Sequence, residues 1–231
     1  EINGTDYLAF SDRLIGFSAS GLTGVWAKEN TREEIYDAFR RKETFATSGP
    51  RIKIRFFSGY EFEDSDLKDL NLLETAYSNN LSMGSTINIE EGKEPRFFVW
   101  AISDPLGAPL QRVQIIKGWL EDGLHKEKVF DVACSDGLSV DPLTNRCPDN
   151  EARVNLTDCA ISNDKGDSEI KAFWKDPDFL ADQEAFYYSR VLENPVCRWS
   201  TWDAIRAGES PRSDISATIQ ERAWSSPIWF N

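Results

Sequence analysis

Four cysteines, one histidine and a scatter of aspartates are the side chains with which this sequence could do chemistry, and their spacing decides which kind. Cys134, Cys147, Cys159 and Cys197 contain no C-x-x-C pair, and the chain's one histidine is His125. A zinc site needs several such ligands at short, regular intervals, so none of familiar spacing can be assembled here. An even number of cysteines in Asp-, Ser-, Asn- and Gly-rich sequence fits disulfides instead, with three pairings open. The preference for closing short loops favours Cys134 with Cys147 and Cys159 with Cys197. Disulfides imply the periplasm or the exterior, and four reduced, buried cysteines in a cytosolic protein are the competing expectation.

Asp136, Asp141, Asp149, Asp158, Asn163, Asp164 and Asp167 offer oxygen ligands in and after the "CSDGLSVDPLTNRC" segment. The D-x-[DN]-x-[DN]-G spacing of a calcium loop is missing, and acidic turns are ordinary on the surface of an acidic chain, so no metal ligand is assigned and calcium is held in reserve. His125 sits among charges in "EDGLHKEKVF" and is expected to be solvated, which leaves no anchor for a Ser-His-Asp or Cys-His arrangement; no catalytic residue is assigned. Neither G-x-G-x-x-G nor a P-loop occurs. What remains is arginine. "TSGPR" ends on Arg51 after small residues with free backbone donors, "CRWSTWDAIRAG" sets Arg198 beside Trp199, and "ERAWSSPIWFN" sets Arg222 near Trp224. Guanidinium grips anions and stacks on indole, so these three arginines are the candidates for contact with an anionic substrate. Their structural alternative is a tight turn and the locking of the last strands onto the core.

The elements that must position these residues are legible in the hydrophobic period. "NTREEIYDAFRRKETF" is a helix: Thr31 and Glu34 form a capping box, Ile35, Ala38 and Phe39 an apolar stripe, and Arg40, Arg41 and Lys42 a basic last turn. "GLTGVWA" before it reads as a short buried strand or an extended segment, and "FATSGP" after it as a strand entering a turn. From Arg51 the period becomes two. "RIKIRFFS", "STINIE", "PRFFVWAIS", "LQRVQIIKGWL", "HKEKVFDVA", "EIKAFWK" and "AFYYSRVL" give seven or so strands separated by turn residues, which predicts a mainly β, antiparallel sandwich with a few helices. "SDPLGAPL" reads as a hairpin loop. "DSDLKDLNLLETAYSNN" reads as a helix capped by Ser65 or Asp66, and "STWDAIRAGES" as one from near Ser200 to Gly208.

Composition excludes some partners. The 231 residues carry 39 Asp and Glu against 26 Lys and Arg, a net charge of −13, with no basic run longer than Arg40-Arg41-Lys42. Such a field repels phosphate backbones, so nucleic acid is set aside. No apolar run approaches the roughly 18 residues of a membrane span, and "EINGTDYLAF" lacks the basic and apolar regions of a signal peptide; an export signal is expected to have been removed or to lie on a longer parent. Asn3, Asn80 and Asn155 stand in N-x-[ST] sequons. Eight Trp with one Met predict a rigid aromatic interior. If rings among Trp119, Trp174, Trp199, Trp202, Trp224 and Trp229 are exposed instead, the sandwich fits a secreted ligand- or glycan-binding module.

Four segments, "GLTGVWAKENTREEIYDAFRRKETFATSGPRI", "CSDGLSVDPLTNRCPDN", "FYYSRVLENPVCRWSTWDAIRAG" and "ERAWSSPIW", occur in order over residues 21 to 229. Together they resemble the carboxyl-terminal third of the domain-of-unknown-function 3604 family. That family resembles the PHP (polymerase and histidinol phosphatase) metallohydrolases, whose distorted barrel holds divalent metals, manganese or zinc, on H-x-H and D-x-H motifs. This sequence contains neither motif, so no ligand is carried over. The resemblance implies a carboxyl-terminal fragment of a metal-dependent hydrolase with a structural or substrate-cleft role. In it residues 1–50 form the last strand-helix element of a PHP-like barrel, residues 51–231 form the sandwich with its disulfide-stapled loops, and the missing barrel of the same polypeptide is the partner.

Overall fold

The computed structural model describes residues 20–60, 62–63, 67, 69, 71–79, 81–90 and 92–231. The strands are β1 (Leu22–Val25), β2 (Thr44–Thr47), β3 (Lys53–Gly59), β4 (Leu81–Ser82), β5 (Thr86–Ile87), β6 (Arg96–Ile102), β7 (Leu110–Glu121), β8 (Leu124–Cys134), β9 (Glu169–Lys175), β10 (Ala185–Glu193), β11 (Val196–Cys197), β12 (Thr218–Ile219), β13 (Arg222–Ser225) and β14 (Ile228–Phe230). The helices are α1 (Arg32–Arg40), α2 (Leu72–Asn79) and α3 (Trp199–Ala207).

The architecture is the predicted β-sandwich. Its four-stranded sheet runs β4-β3-β6-β9, every pair antiparallel. The eight-stranded sheet is organised by β10, which carries β7 and then β8 along one edge. The other edge is shared: β13 pairs with its second half and β14 with its first. From β13 the sheet continues to β2 and β1, and from β14 to β5 in the one parallel pairing.

Alternation along the strands explains the layering. Ile52, Ile54 and Phe56 of the β3 segment and Phe97, Val99 and Ala101 of β6 face Val113 and Ile115 of β7 and Tyr187 and Val191 of β10, forming one buried core. The residues between them, Phe57 and Phe98, point the other way and form a second cluster with Phe62, Leu72 and Ala76 beneath α2. At Phe57 and Phe98 the outer face of β3 and β6 is thus apolar too, because helix α2 covers it there, whereas Lys53 and Arg55 of the same face lie beyond that cover.

Several local expectations hold to the residue. Thr31 caps α1, its Oγ1 accepting from the Glu34 N–H at 3.3 Å, and α3 ends at Gly208 in the left-handed conformation (φ 72°) that a β-carbon disfavours. Strands β7 and β8 are joined by Asp122 and Gly123, both at positive φ, a two-residue turn matched to the twist of a hairpin.

Other expectations are corrected. "GLTGVWA" holds a strand but not a buried one: among the described residues β1 is the edge of the eight-stranded sheet, and its first residues are exposed. The apolar stripe of α1 buries Ala38, whereas Tyr36 and Phe39 remain 59% and 51% exposed. "SDPLGAPL" is no hairpin loop. It carries the chain from β6 in one sheet to β7 in the other, since turn residues mark a reversal but not which sheet follows. The seven strands expected after Arg51 all form, as β3 and β5 to β10, and among the described residues β4, β11, β12, β13 and β14 join them, three of these only two residues long and too short to show a period. The proposed caps Ser65 and Asp66 and the sequons at Asn3 and Asn80 lie outside the described residues; Asn155 is exposed in a turn. The expected boundary at residue 50 falls between β2 and β3, which belong to different sheets, and β1 and β2 are paired through β13 to the rest of the sandwich.

Both disulfides form, Cys134 to Cys147 and Cys159 to Cys197, each with Cα atoms 5.6 Å apart. They hold the excursion of residues 135–168 between β8 and β9, which contains only isolated bridges. Buried amides complete its anchoring: Gln111 Nε2 donates to Asn150 Oδ1 at 3.0 Å, and Asn150 Nδ2 to Asn194 Oδ1 at 2.9 Å. A loop this long needs such partners, because its backbone finds few in regular structure.

Candidate functional site

A recess of about 600 Å³ opens where the end of α1 meets β3, and three cations stand on it: Lys28, Arg41 and Arg55. Among the described residues its only lining acid is Glu43, so they give the recess net positive charge in a chain of −13.

Arg55 is the organising group. It lies in the solvent-side phase of β3, between buried Ile54 and Phe56, and its guanidinium is centred 3.5 Å from the Trp26 ring. Trp26 is fixed in turn by its own indole N–H, which donates to Ile54 O at 2.8 Å. Arg55 Nη1 donates to the Tyr77 hydroxyl, which donates to Glu43 Oε1. Ser82 Oγ adds a second donor to Glu43 Oε1 at 3.0 Å, and Arg41 Nη2 lies 3.4 Å from Oε2. Glu43 is 6% exposed, so this set of donors offsets its burial. Partial burial, followed by the Glu43 carboxylate, holds the Tyr77 pKa well above the ordinary tyrosine value, and the hydroxyl keeps its proton.

Close approach of the chain builds this corner. Gly84 sits at φ 89°, and a β-carbon there would lie 2.5 Å from Lys42 O and 2.6 Å from Arg41 O. The β4–β5 turn therefore packs directly on the exit of α1, bringing Ser82 to Glu43. Arg55 makes no ion pair among the described residues, and its stacking on Trp26 leaves the remaining N–H groups of its fork for a ligand. Chemically, the recess is suited to an oxyanion: planar donors from Arg55, point charges from Lys28 and Arg41, and a fixed indole floor.

The arginines expected from sequence lie elsewhere. The Arg51 N–H donates to Asp104 Oδ2 at 2.7 Å, and this bond, with the Leu106 N–H, depresses the Asp104 pKa. The Arg222 N–H donates to Ser48 Oγ at 2.8 Å, its Nε to Gln220 O at 3.2 Å, and its guanidinium lies 5.9 Å from the Trp224 ring. Both therefore border the Ser48 turn, beside an acidic group rather than an open anion site. Glu193 is fully buried there, with its Oε1 lacking a partner. Burial, reinforced by Glu221 and Asp104 against the opposing Ala108 N–H, raises its pKa to about 8. Arg198 precedes α3, where its Nε donates to Ser216 O at 3.2 Å and its N–H to Ala217 O.

Four of the aspartates reserved for calcium are engaged by protein groups. Asp136 accepts from Ser135 Oγ, Asn150 Nδ2 and the Gly166 N–H, and Asp149 binds Arg153. Asp141 and Asp158 cap their own turns through the N–H groups of Leu143 and Ala160. Among the described residues no three His, Cys, Asp or Glu side chains are placed to hold a metal ion. His125 is exposed.

Sequence reasoning missed Trp26, Arg41 and Arg55. Arg55 was legible only as the polar half of an alternating strand, and Arg41 only as a charge closing a helix. Nothing in local spacing links Trp26 to a residue 29 positions on.

Fold and recess together define an antiparallel, disulfide-stapled β-sandwich with a cationic, aromatic-floored corner. The family model described as protein of unknown function (DUF3604) matches residues 5–231, and the chain belongs to that family. No curated protein and no solved structure matches it.

Proposed function

We propose that this chain is the carboxyl-terminal portion of a PHP-like metal-dependent hydrolase, in which the sandwich forms one wall of the substrate cleft and its recess holds an anionic part of the substrate. The observation that carries this reading is the convergence of Arg55, Arg41 and Lys28 on one recess of an otherwise acidic molecule. A second feature supports it. Helix α1, whose carboxyl end forms the recess, leaves Tyr36 and Phe39 exposed, an apolar face suited to packing against a barrel in the same polypeptide.

Manganese or zinc, the metals such barrels use, would generate the nucleophilic water there. The residues of this chain do not fit that role, since its one histidine is an exposed residue of β8, and no step is assigned to a metal within it. The contribution of this part is positioning: Arg55, rigid against Trp26, orients an oxyanion without losing side-chain freedom on binding. The two disulfides support an exported location, the periplasm or the exterior.

The test compares phosphomonoester hydrolysis by this chain and by a polypeptide that adds the amino-terminal barrel, each with added manganese or zinc. The expected result is no turnover by this chain, turnover by the longer one, and a raised KM in its Arg55→Met variant. Hydrolysis by this chain alone would sink the proposal.

A further inference from the structure

A second concavity, of about 690 Å³, opens at the end of the eight-stranded sheet where β10 begins, and its walls are aromatic. Phe186 of β10 and Trp229 of β14 are register partners, with ring centroids 4.9 Å apart and planes inclined at 44°. On the other edge of β10 the partner of Phe186 is Gly118, where a β-carbon would fall 2.3 Å from the Phe186 ring. The missing side chain lets that ring lie across β7 and back the indole. Trp229 is thus held by a β-ladder and braced by Phe186, yet remains 43% exposed. Trp119 closes the groove from β7.

The polar groups on the groove are acceptors and mixed donors. Asp182 and Glu184 come from the segment leading into β10, and neither has an ion pair or side-chain hydrogen bond among the described residues. Gln183 and Asn231 add amides and His125 an imidazole, each able to donate and accept. The ammonium of Lys117 lies 5.4 Å from the Trp119 ring but is committed to Asp176 and to Asp178 O.

These groups select a ligand chemistry. Unpaired carboxylates repel an anion, and a wholly apolar ligand would strip water from them without return. A simple organic ammonium ion would satisfy the carboxylates and the rings but leave the amide N–H groups facing a cation. A pyranose meets every requirement: its C–H face lies on an indole, while its hydroxyls donate to carboxylates and accept from amides. The volume falls within the roughly 300–1,000 Å³ of small-molecule sites. We propose that this groove is a saccharide-binding site, with one sugar ring on Trp229 and its hydroxyl edge on Asp182 and Glu184. The site is separate from the cationic recess and does not depend on the role proposed for it.

Titration calorimetry of the full chain with maltotetraose, cellotetraose and N-acetylchitotetraose, with tetramethylammonium chloride in a fourth cell, tests the assignment. At least one saccharide should bind, with Trp229→Ala and Glu184→Ala each weakening it by roughly tenfold or more, while Trp202→Ala on α3 leaves it unchanged. Melting curves of the variants within a few degrees of the parent show that the fold is kept, and Glu184, exposed before the strand, serves where Trp229→Ala perturbs β14. The proposal is overturned if no saccharide of the three binds, if binding survives both groove variants, or if tetramethylammonium binds in their place.

Discussion

Replacing Asp176 by Asn should cost this protein several kcal/mol, because the carboxylate is the counter-ion of an ammonium buried inside the sandwich. Lys117 points inward from β7, and its Nζ lies 2.8 Å from Asp176 Oδ2, the two side chains being 3% and 0% exposed. The same oxygen accepts from the Tyr187 hydroxyl at 2.7 Å, and burial followed by the Asp176 charge keeps the tyrosine pKa far above its ordinary value. The amide would leave Lys117 with Asp178 O at 2.8 Å and the flanking faces of Trp119 and Tyr187, none of which neutralises a charge. Removing one partner of a buried pair typically costs about 3–5 kcal/mol, against a total stability of about 5–15 kcal/mol for a domain. Urea unfolding followed by tryptophan fluorescence measures this as a fall in midpoint at unchanged slope. Pairing Asp176→Leu with Lys117→Met should recover part of the loss, since the cost of the single change is mainly the orphaned charge. Stability of Asp176→Asn within about 1 kcal/mol of the parent would refute the reasoning.

Three further outcomes follow from particular contacts. Removing the 13-residue Cys134–Cys147 link should cost about 3 kcal/mol and the 38-residue Cys159–Cys197 link about 4, by chain entropy, so reductant should lower the melting temperature; an unchanged melt would show that the amide network alone holds the excursion. Folded Glu193 keeps its proton to about pH 8, whereas an unfolded glutamate loses it near 4.5. Its contribution to stability is therefore complete below about pH 4.5 and is lost as pH rises through 8, and Glu193→Gln should flatten stability across that window. Unfolding midpoints at several pH values check this, and parallel profiles would contradict it. Gly118→Ala should displace Phe186 from β7 and, by tilting the Trp229 wall, weaken groove binding more than it lowers stability; equal losses in calorimetry and urea unfolding would point to a general packing defect instead.

Much of the architecture was legible because it rests on local rules. The cap at Thr31, the stop at Gly208 and the alternation of Ile52, Ile54 and Phe56 each depend on a few neighbouring residues, and each is where spacing puts it. Cysteine spacing likewise favoured the pairs that form. What escaped depends on pairing between distant segments. The two-residue strands β4, β11 and β12 are strands only because a partner lies beside them, and β1 is exposed only because nothing among the described residues lies beyond it. The recess is the sharpest case. Arg51, Arg198 and Arg222 stand near small or aromatic neighbours in the sequence, whereas Arg55 meets Trp26 only after β3 has been laid against the α1 corner. A glycine at 84, needed for that approach, carries no signal of its own.

The most direct test of the account is a titration of phenyl phosphate into the full chain, followed by the indole N–H resonances. The Trp26 resonance should move saturably, and the movement should vanish in Arg55→Met while the other indoles are undisturbed. A Trp26 resonance that stays fixed throughout, or that moves equally without Arg55, would contradict the assignment of this recess to anion binding.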